Sequence, residues 1–133
     1  MTTTSKFAKQ FDSMTSLSGH DYIEATIRPG LTVRAYADFD PTSQPSDWEE
    51  SFTPEEIAAW EADEWSFAEI RLDVYFGGVE VVHGINRITG IQHDEEGDGR
   101  ALNEAADELL DETEAEAIQK VKEFAKAAAK ATR

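Results

Sequence analysis

The stretch that decides the fold is Phe67–Ile85, "FAEIRLDVYFGGVEVVHGI". Apolar and polar residues alternate on both sides of Gly77-Gly78. Period two means a strand with one buried face, and a glycine pair between two such runs means a two-residue hairpin turn. A strict two-residue turn pairs Phe76 with Val79, Val74 with Val81, Leu72 with His83 and Ile70 with Ile85, all on one face. The other face then carries Glu69, Arg71, Asp73, Tyr75, Glu80 and Asn86. A one-residue slip would turn every apolar side chain to water, so the register is strongly specified. Ile88 and Ile91 extend the sheet or its edge.

Upstream, Ile23 to Phe39 alternates in the same way, with Ile23, Ala25, Ile27, Leu31, Val33, Ala35 and Ala37 on one face. Pro29-Gly30 interrupts it: a two-residue turn would pair Arg28 with Leu31 and break the alternation, so the loop is expected to be three residues long or the strand to bend and continue. Proline cannot donate to a ladder, so this point belongs at an edge or a bulge. "DPTSQPSDW" reads as a loop. "FTPEEIAAWEADEW" then opens a helix: Thr53 caps, Pro54 suits the first position, Glu56 closes a capping box, and Phe52 with Ile57 forms a hydrophobic staple. About three turns are expected, ending near Trp65.

Downstream of the "HDEEGDGR" loop, a long helix is expected from Arg100 to Ala131. Leu102, Ala106, Leu109, Leu110, Thr113, Ala117, Val121, Phe124 and Ala128 make one stripe at helical spacing, with Ile118 off it. Residues 1–20 are polar and admit either a short docking helix on Phe7, Phe11 and Met14 or a frayed tail. The expected architecture is α+β: one domain over residues 21–133, an antiparallel three- to four-stranded sheet, one face covered by the long C-terminal helix, and one short additional helix.

The chain has 133 residues, enough for one core, and no cysteine. Thiol nucleophiles, disulfides and thiolate metal sites are therefore excluded. No apolar run approaches a bilayer-spanning length and "MTTTSKFAKQF" has no apolar signal region, so a cytoplasmic protein of a bacterial host is expected. The balance is 28 acids against 12 bases, net −16. Such an excess opposes direct binding to nucleic acid or anionic membranes and favours basic partners.

The acids are blocked: eleven with no base between Ala35 and Ile70, and eleven with one base between Asp94 and Glu116. In "DELLDETEAE" the leucines belong to the core stripe and the acids form the wet face. Asp107–Asp111, Glu108–Glu112 and Glu112–Glu116 are like-charge pairs, each costing a few tenths of a kcal/mol. They reflect either an acidic proteome or a use for the field. The candidate partner-binding residues are Asp47, Trp48, Glu49, Glu50 and Glu61, with Glu104, Asp107, Glu108, Asp111 and Glu112 on the long helix. Trp48, Trp60 and Trp65 either close the end of the core or anchor a contact surface, and an exposed Trp48 favours the second.

His83 is expected in the core opposite Leu72, and His20 and His93 in polar loops. Asp94, Glu96, Asp98 and Gly99 match an EF-hand loop loosely, but its closing glutamate position holds Ala105. No phosphate loop, dinucleotide fingerprint or zinc-protease motif is present. No cofactor, metal or catalytic residue is therefore assigned, and an enzyme is not expected unless a concave, solvent-open pocket surrounds His83.

"YIEATIRPGLTVRAY", "FTPEEIAAWEADEWSFAEI" and "NEAADELLDE" give Tyr22–Ala117 a pattern that resembles small proteins of unassigned function encoded by phages and other mobile elements. The resemblance implies an acidic inhibitor of host defence, of the anti-CRISPR or anti-restriction kind. Its carboxylates would imitate DNA phosphates on a basic nucleic-acid-binding partner. The alternative is a structural or accessory interaction protein of a mobile element, its acidic surface kept for solubility.

Overall fold

A computed structural model describes residues 5–12, 14–48, 50–93 and 98–131. Four strands form one antiparallel sheet in sequence order: β1 (Ser18–Arg28), β2 (Leu31–Phe39), β3 (Ser66–Phe76) and β4 (Val79–His93). A 3-10 turn (Pro45–Asp47) and helix α1 (Pro54–Glu61) lie between β2 and β3, and helix α2 (Arg100–Ala131) follows β4. The α+β class and the single covering helix are as the periodicity requires.

The core lies between α2 and one sheet face. Ile23, Ala25, Val33, Ala35, Ala37, Ala68, Ile70, Leu72 and Val74 meet Leu102, Ala106, Leu109, Leu110, Ala117 and Val121 there. α2 packs chiefly on β4, then β3, and less on β2. Thr113 is the buried polar member of the stripe. It donates to Leu109 O at 2.6 Å and accepts from Asn86 Nδ2 at 3.0 Å, so its hydroxyl is satisfied. Ile118 packs partly against the core, whereas residues 122–131, Phe124 and Ala128 included, are all exposed. The apolar stripe continues in sequence beyond Val121, but no described element covers it.

Pro29-Gly30 is a two-residue turn after all. Arg28 pairs with Leu31 and Thr26 with Thr32, so Ile27 is an extra residue and the bulge restores the alternation. β1 is an edge strand, where a bulge is tolerated. The α1 cap is the expected one: Thr53 accepts from Glu56 N and Glu56 from Thr53 N. The helix spans eight residues rather than three turns. It stops at Glu61, and Asp63 takes a left-handed φ of 60° before β3 begins.

The β3–β4 register departs from the strict hairpin. Phe76 pairs with Val79 as expected, but Val74 pairs with Val82, Leu72 with Asn86 and Ile70 with Ile88. The 15 residues of β4 run beside only 11 of β3, with bulges absorbing the excess. The two irregularities nearest the turn flank Asp73. Its carboxylate is buried and must be satisfied. It accepts from Gly84 N at 2.7 Å, which draws β4 out of register. His83 is thereby turned out of the core, with 62% of its side chain exposed, and Asn86 is turned in. His93 is also not in a loop: it ends β4 and is buried, while His20 lies exposed on β1.

Residues 5–12 are neither helix nor frayed tail. They form an extended strap laid between the edge of β1 and α2. Phe7 bridges to Ala25, Ala8 N donates to Glu24 O, and Phe7 and Phe11 are buried in the main core. Met14, in contrast, is 85% exposed. Asn103 of α2 holds the strap by accepting from Phe11 N at 2.7 Å and donating to Phe11 O at 2.9 Å. Gly99 makes room for it: a Cβ there would lie 2.6 Å from Phe11 O. An Asn103→Ala variant leaves two backbone groups of Phe11 unpaired, and should lower the urea-unfolding free energy by about 2 kcal/mol. An unchanged midpoint would mean that the strap does not contribute to the core.

Candidate functional site

The acids of α2 divide by what they face. Asp107 is half-buried and accepts from Ser5 Oγ at 2.6 Å. Lys6 forms a close ion pair with Glu114 and lies 3.6 Å from Asp111. The hydrogen bond to Glu114, more than any other effect, raises the Lys6 pKa. Among the described residues Lys6 is the one base that pairs with an acid between 104 and 116. Ser5, Lys6, Glu104, Asp107, Glu108 and Asp111 line an open groove of about 530 Å³ between strap and helix. Glu104, Glu108 and Glu112 are exposed, with no ion-pair partner among the described residues. Four residues of helix advance about 6 Å, so these three, together with Asp111, make a row of negative charge along the outward side.

The second predicted group lies elsewhere. Ala68, Ile70, Leu72 and Val74 face α2, so Phe67 points to the opposite face of β3. Trp48, Phe52 and Trp65 gather around Phe67 there. Trp48 stacks on its ring at 5.1 Å, and Trp65 meets it edge-on at 5.0 Å. Trp65 Nε1 donates to Glu56 O at 2.8 Å, tying α1 to the start of β3. The segment carrying Asp47, Trp48, Glu50 and Glu61 therefore caps one end of the sheet on the side away from α2. The two acidic blocks do not merge into one patch. Asp47 is moreover partly spent on its own turn, where it accepts from Gln44 N. Glu49 lies outside the described residues.

Trp48 serves both readings of the tryptophans. Its ring rests on Phe67 and against Gly90, where a Cβ would come within 2.8 Å of it, yet 38% of the residue stays exposed. Asp40 fixes this corner. It is buried and accepts from Thr42 N, Thr42 Oγ1, Ser43 Oγ and Gly90 N. Burial alone would raise its pKa, but these donors together outweigh burial and hold it at about 2.

The rest of the open sheet face carries a feature that the chain pattern did not single out. Arg34 lies 4.5 Å from the Tyr22 ring centroid and 4.2 Å from that of Tyr75, and Arg71 lies 4.7 Å from that of Tyr36. Glu24 accepts from Arg34 Nε at 2.9 Å and Tyr36 and Tyr75 hydroxyls meet at 3.3 Å. The hydrogen bond to Glu24 is the main cause of a raised Arg34 pKa, and burial is the main cause of a raised Tyr75 pKa. The alternation placed these residues on the polar sides of their strands. Only the β2–β3 pairing, Arg34 with Asp73 and Tyr36 with Arg71, brings them together.

Of the loose EF-hand set, residues 94–97 lie outside the described residues, and Asp98 accepts from Arg100 N at the start of α2. Among the described residues no helix is long and apolar enough to cross a membrane. No protein-family model, curated protein or solved structure matches the chain.

The low Asp40 pKa has a stability consequence of definite sign. A folded pKa near 2 against an ordinary 3.8 gives a contribution that is complete above about pH 4 and lost as the pH falls through 2. Asp40→Asn should therefore cost about 2 kcal/mol at pH 7. Its deficit relative to wild type should shrink between about pH 4 and pH 2. Urea unfolding of both proteins across that range measures it; a deficit independent of pH would assign the loss to packing instead.

Proposed function

We propose that this protein is a non-catalytic binding module that presents the outward face of α2 to a basic protein surface. The observation that carries this reading is the row Glu104, Glu108, Asp111 and Glu112. These acids are exposed, unmatched except for Lys6 beside Asp111, and fixed to a helix whose opposite stripe is buried. A rigid row of carboxylates needs little ordering on binding, and its field speeds encounter with a cationic partner. A partner that normally binds nucleic acid offers such a surface, since it is built to replace counterions around phosphates. We therefore take the class of acidic inhibitor that imitates nucleic acid as the preferred reading, with Asp107 positioning the strap rather than meeting the partner. The acids around Asp47 and Glu61 lie on the other side of the sheet and belong to no shared footprint.

The accessory-protein reading has one observation in its favour, the partial exposure of Trp48 at the aromatic corner. The two readings differ in their response to charge. The immobilised protein, and a variant carrying Glu104→Gln, Glu108→Gln, Asp111→Asn and Glu112→Gln, would be offered a bacterial lysate. The expected result is a nucleic-acid-binding protein retained by wild type, displaced by duplex DNA, and released near ~0.5 M salt, where screening is nearly complete beyond about 4 Å. The variant should lose it while remaining at least as stable, because the Glu108–Glu112 repulsion is relieved. Equal retention by both proteins, with loss on Trp48→Ala, would overturn the acidic reading in favour of the accessory one.

A further inference from the structure

The bulge at Gly84 does more than satisfy Asp73. It brings three side chains with metal-ligating atoms to one point on the open sheet face. His83 Nδ1 lies 3.0 Å from Glu80 Oε1 and 3.4 Å from Asp73 Oδ2, and the three donor atoms fall within 4.8 Å of one another. In a tetrahedral site with bonds of about 2.0–2.1 Å, neighbouring ligand atoms stand about 3.3 Å apart. The two separations to His83 are already close to that edge length.

The two oxygens of Asp73 are not equivalent. Oδ1 accepts from Gly84 N at 2.7 Å and from Arg71 Nε at 3.1 Å. Oδ2 has only a long contact to Arg71 at 3.4 Å and otherwise faces His83. The carboxylate is 2% exposed and is held from behind by strand backbone and a guanidinium that itself lies over Tyr36. This is how an outer shell orients a ligating carboxylate. Two carboxylates against one guanidinium leave the point negative, so a divalent cation is attracted. The imidazole selects among such cations. Nitrogen with two carboxylate oxygens suits zinc and its first-row neighbours rather than calcium or magnesium.

We propose that Asp73, Glu80 and His83 form a binding site for a zinc-like divalent transition metal, with the fourth position open to solvent beside the exposed imidazole. Bulges commonly re-aim a side chain at such places. The site pins β4 to β3 across the stretch where their register is broken. It lies on the face away from α2, so it is independent of the acidic row.

Zinc titration by calorimetry, and cobalt titration followed by its visible absorption, test this on the full chain with any affinity tag removed. The expected result is one ion per chain, not displaced by excess calcium, with cobalt absorption of tetrahedral intensity. His83→Ala should weaken zinc binding ~10-fold or more, since even outer residues of such sites are worth 10- to 100-fold. Glu80→Gln should weaken it as well. Both residues are exposed, so neither change threatens the fold; Asp73 is left alone for that reason. The variant with the four α2 acids neutralised should bind zinc as wild type does. No zinc binding, binding unaffected by His83→Ala, or binding lost only when the α2 acids are neutralised would overturn the proposal.

Discussion

Eight residues of α2, from Leu102 to Val121, lie buried against one face of the sheet, and the exposure of every other feature follows from that contact. Each fully buried leucine contributes about 2 kcal/mol. A like-charge pair four residues apart on the outward side costs only a few tenths. The magnitudes explain how the helix carries so many unmatched acids without unwinding. They also fix where those acids point: the wheel that buries Leu109 and Leu110 exposes Glu108 and Glu112.

Because α2 sits mainly over β4 and β3, it leaves the β1 side of the core uncovered, and the strap fills that gap. Phe7 and Phe11 were visible in the chain as apolar residues, but their spacing suggested a helix. The structure instead uses their backbone, through the bridge to Ala25 and the Asn103 clamp. Lys6 then becomes the counter-ion of Asp111 and Glu114 across more than a hundred residues, which no local pattern could indicate.

The layers, the α1 cap and the turn at Gly77-Gly78 were legible because each rests on local chemistry: alternation, a capping box, a glycine pair. The errors at the β3–β4 hairpin share one origin. A buried carboxylate overrides period two, since leaving it unsatisfied costs more than shifting a register. From Asp73 onward, alternation assigned His83 and Asn86 to the wrong faces. The candidate site was legible in composition but not in space. The acids of residues 47–61 and of 104–112 read as one excess along the chain, and the sheet separates them. The Tyr–Arg layer was the reverse case, its members visible singly but joined only by pairing β2 with β3.

The strap also orders events in time. Its partners, Asn103, Asp107 and Glu114, are translated about a hundred residues after it. On the ribosome the strap has its β1 partners, Glu24 and Ala25, as soon as β1 is made, but Phe7 and Phe11 are covered from the helix side only once α2 has emerged. Closing so long a loop is among the slowest contacts to make. The strap, made before the sheet, thus completes the core last. Until then the β1 edge around Ala25 is covered only by the strap's own bridge and one backbone hydrogen bond, which is the interval in which a nascent chain is most open to pairing with another.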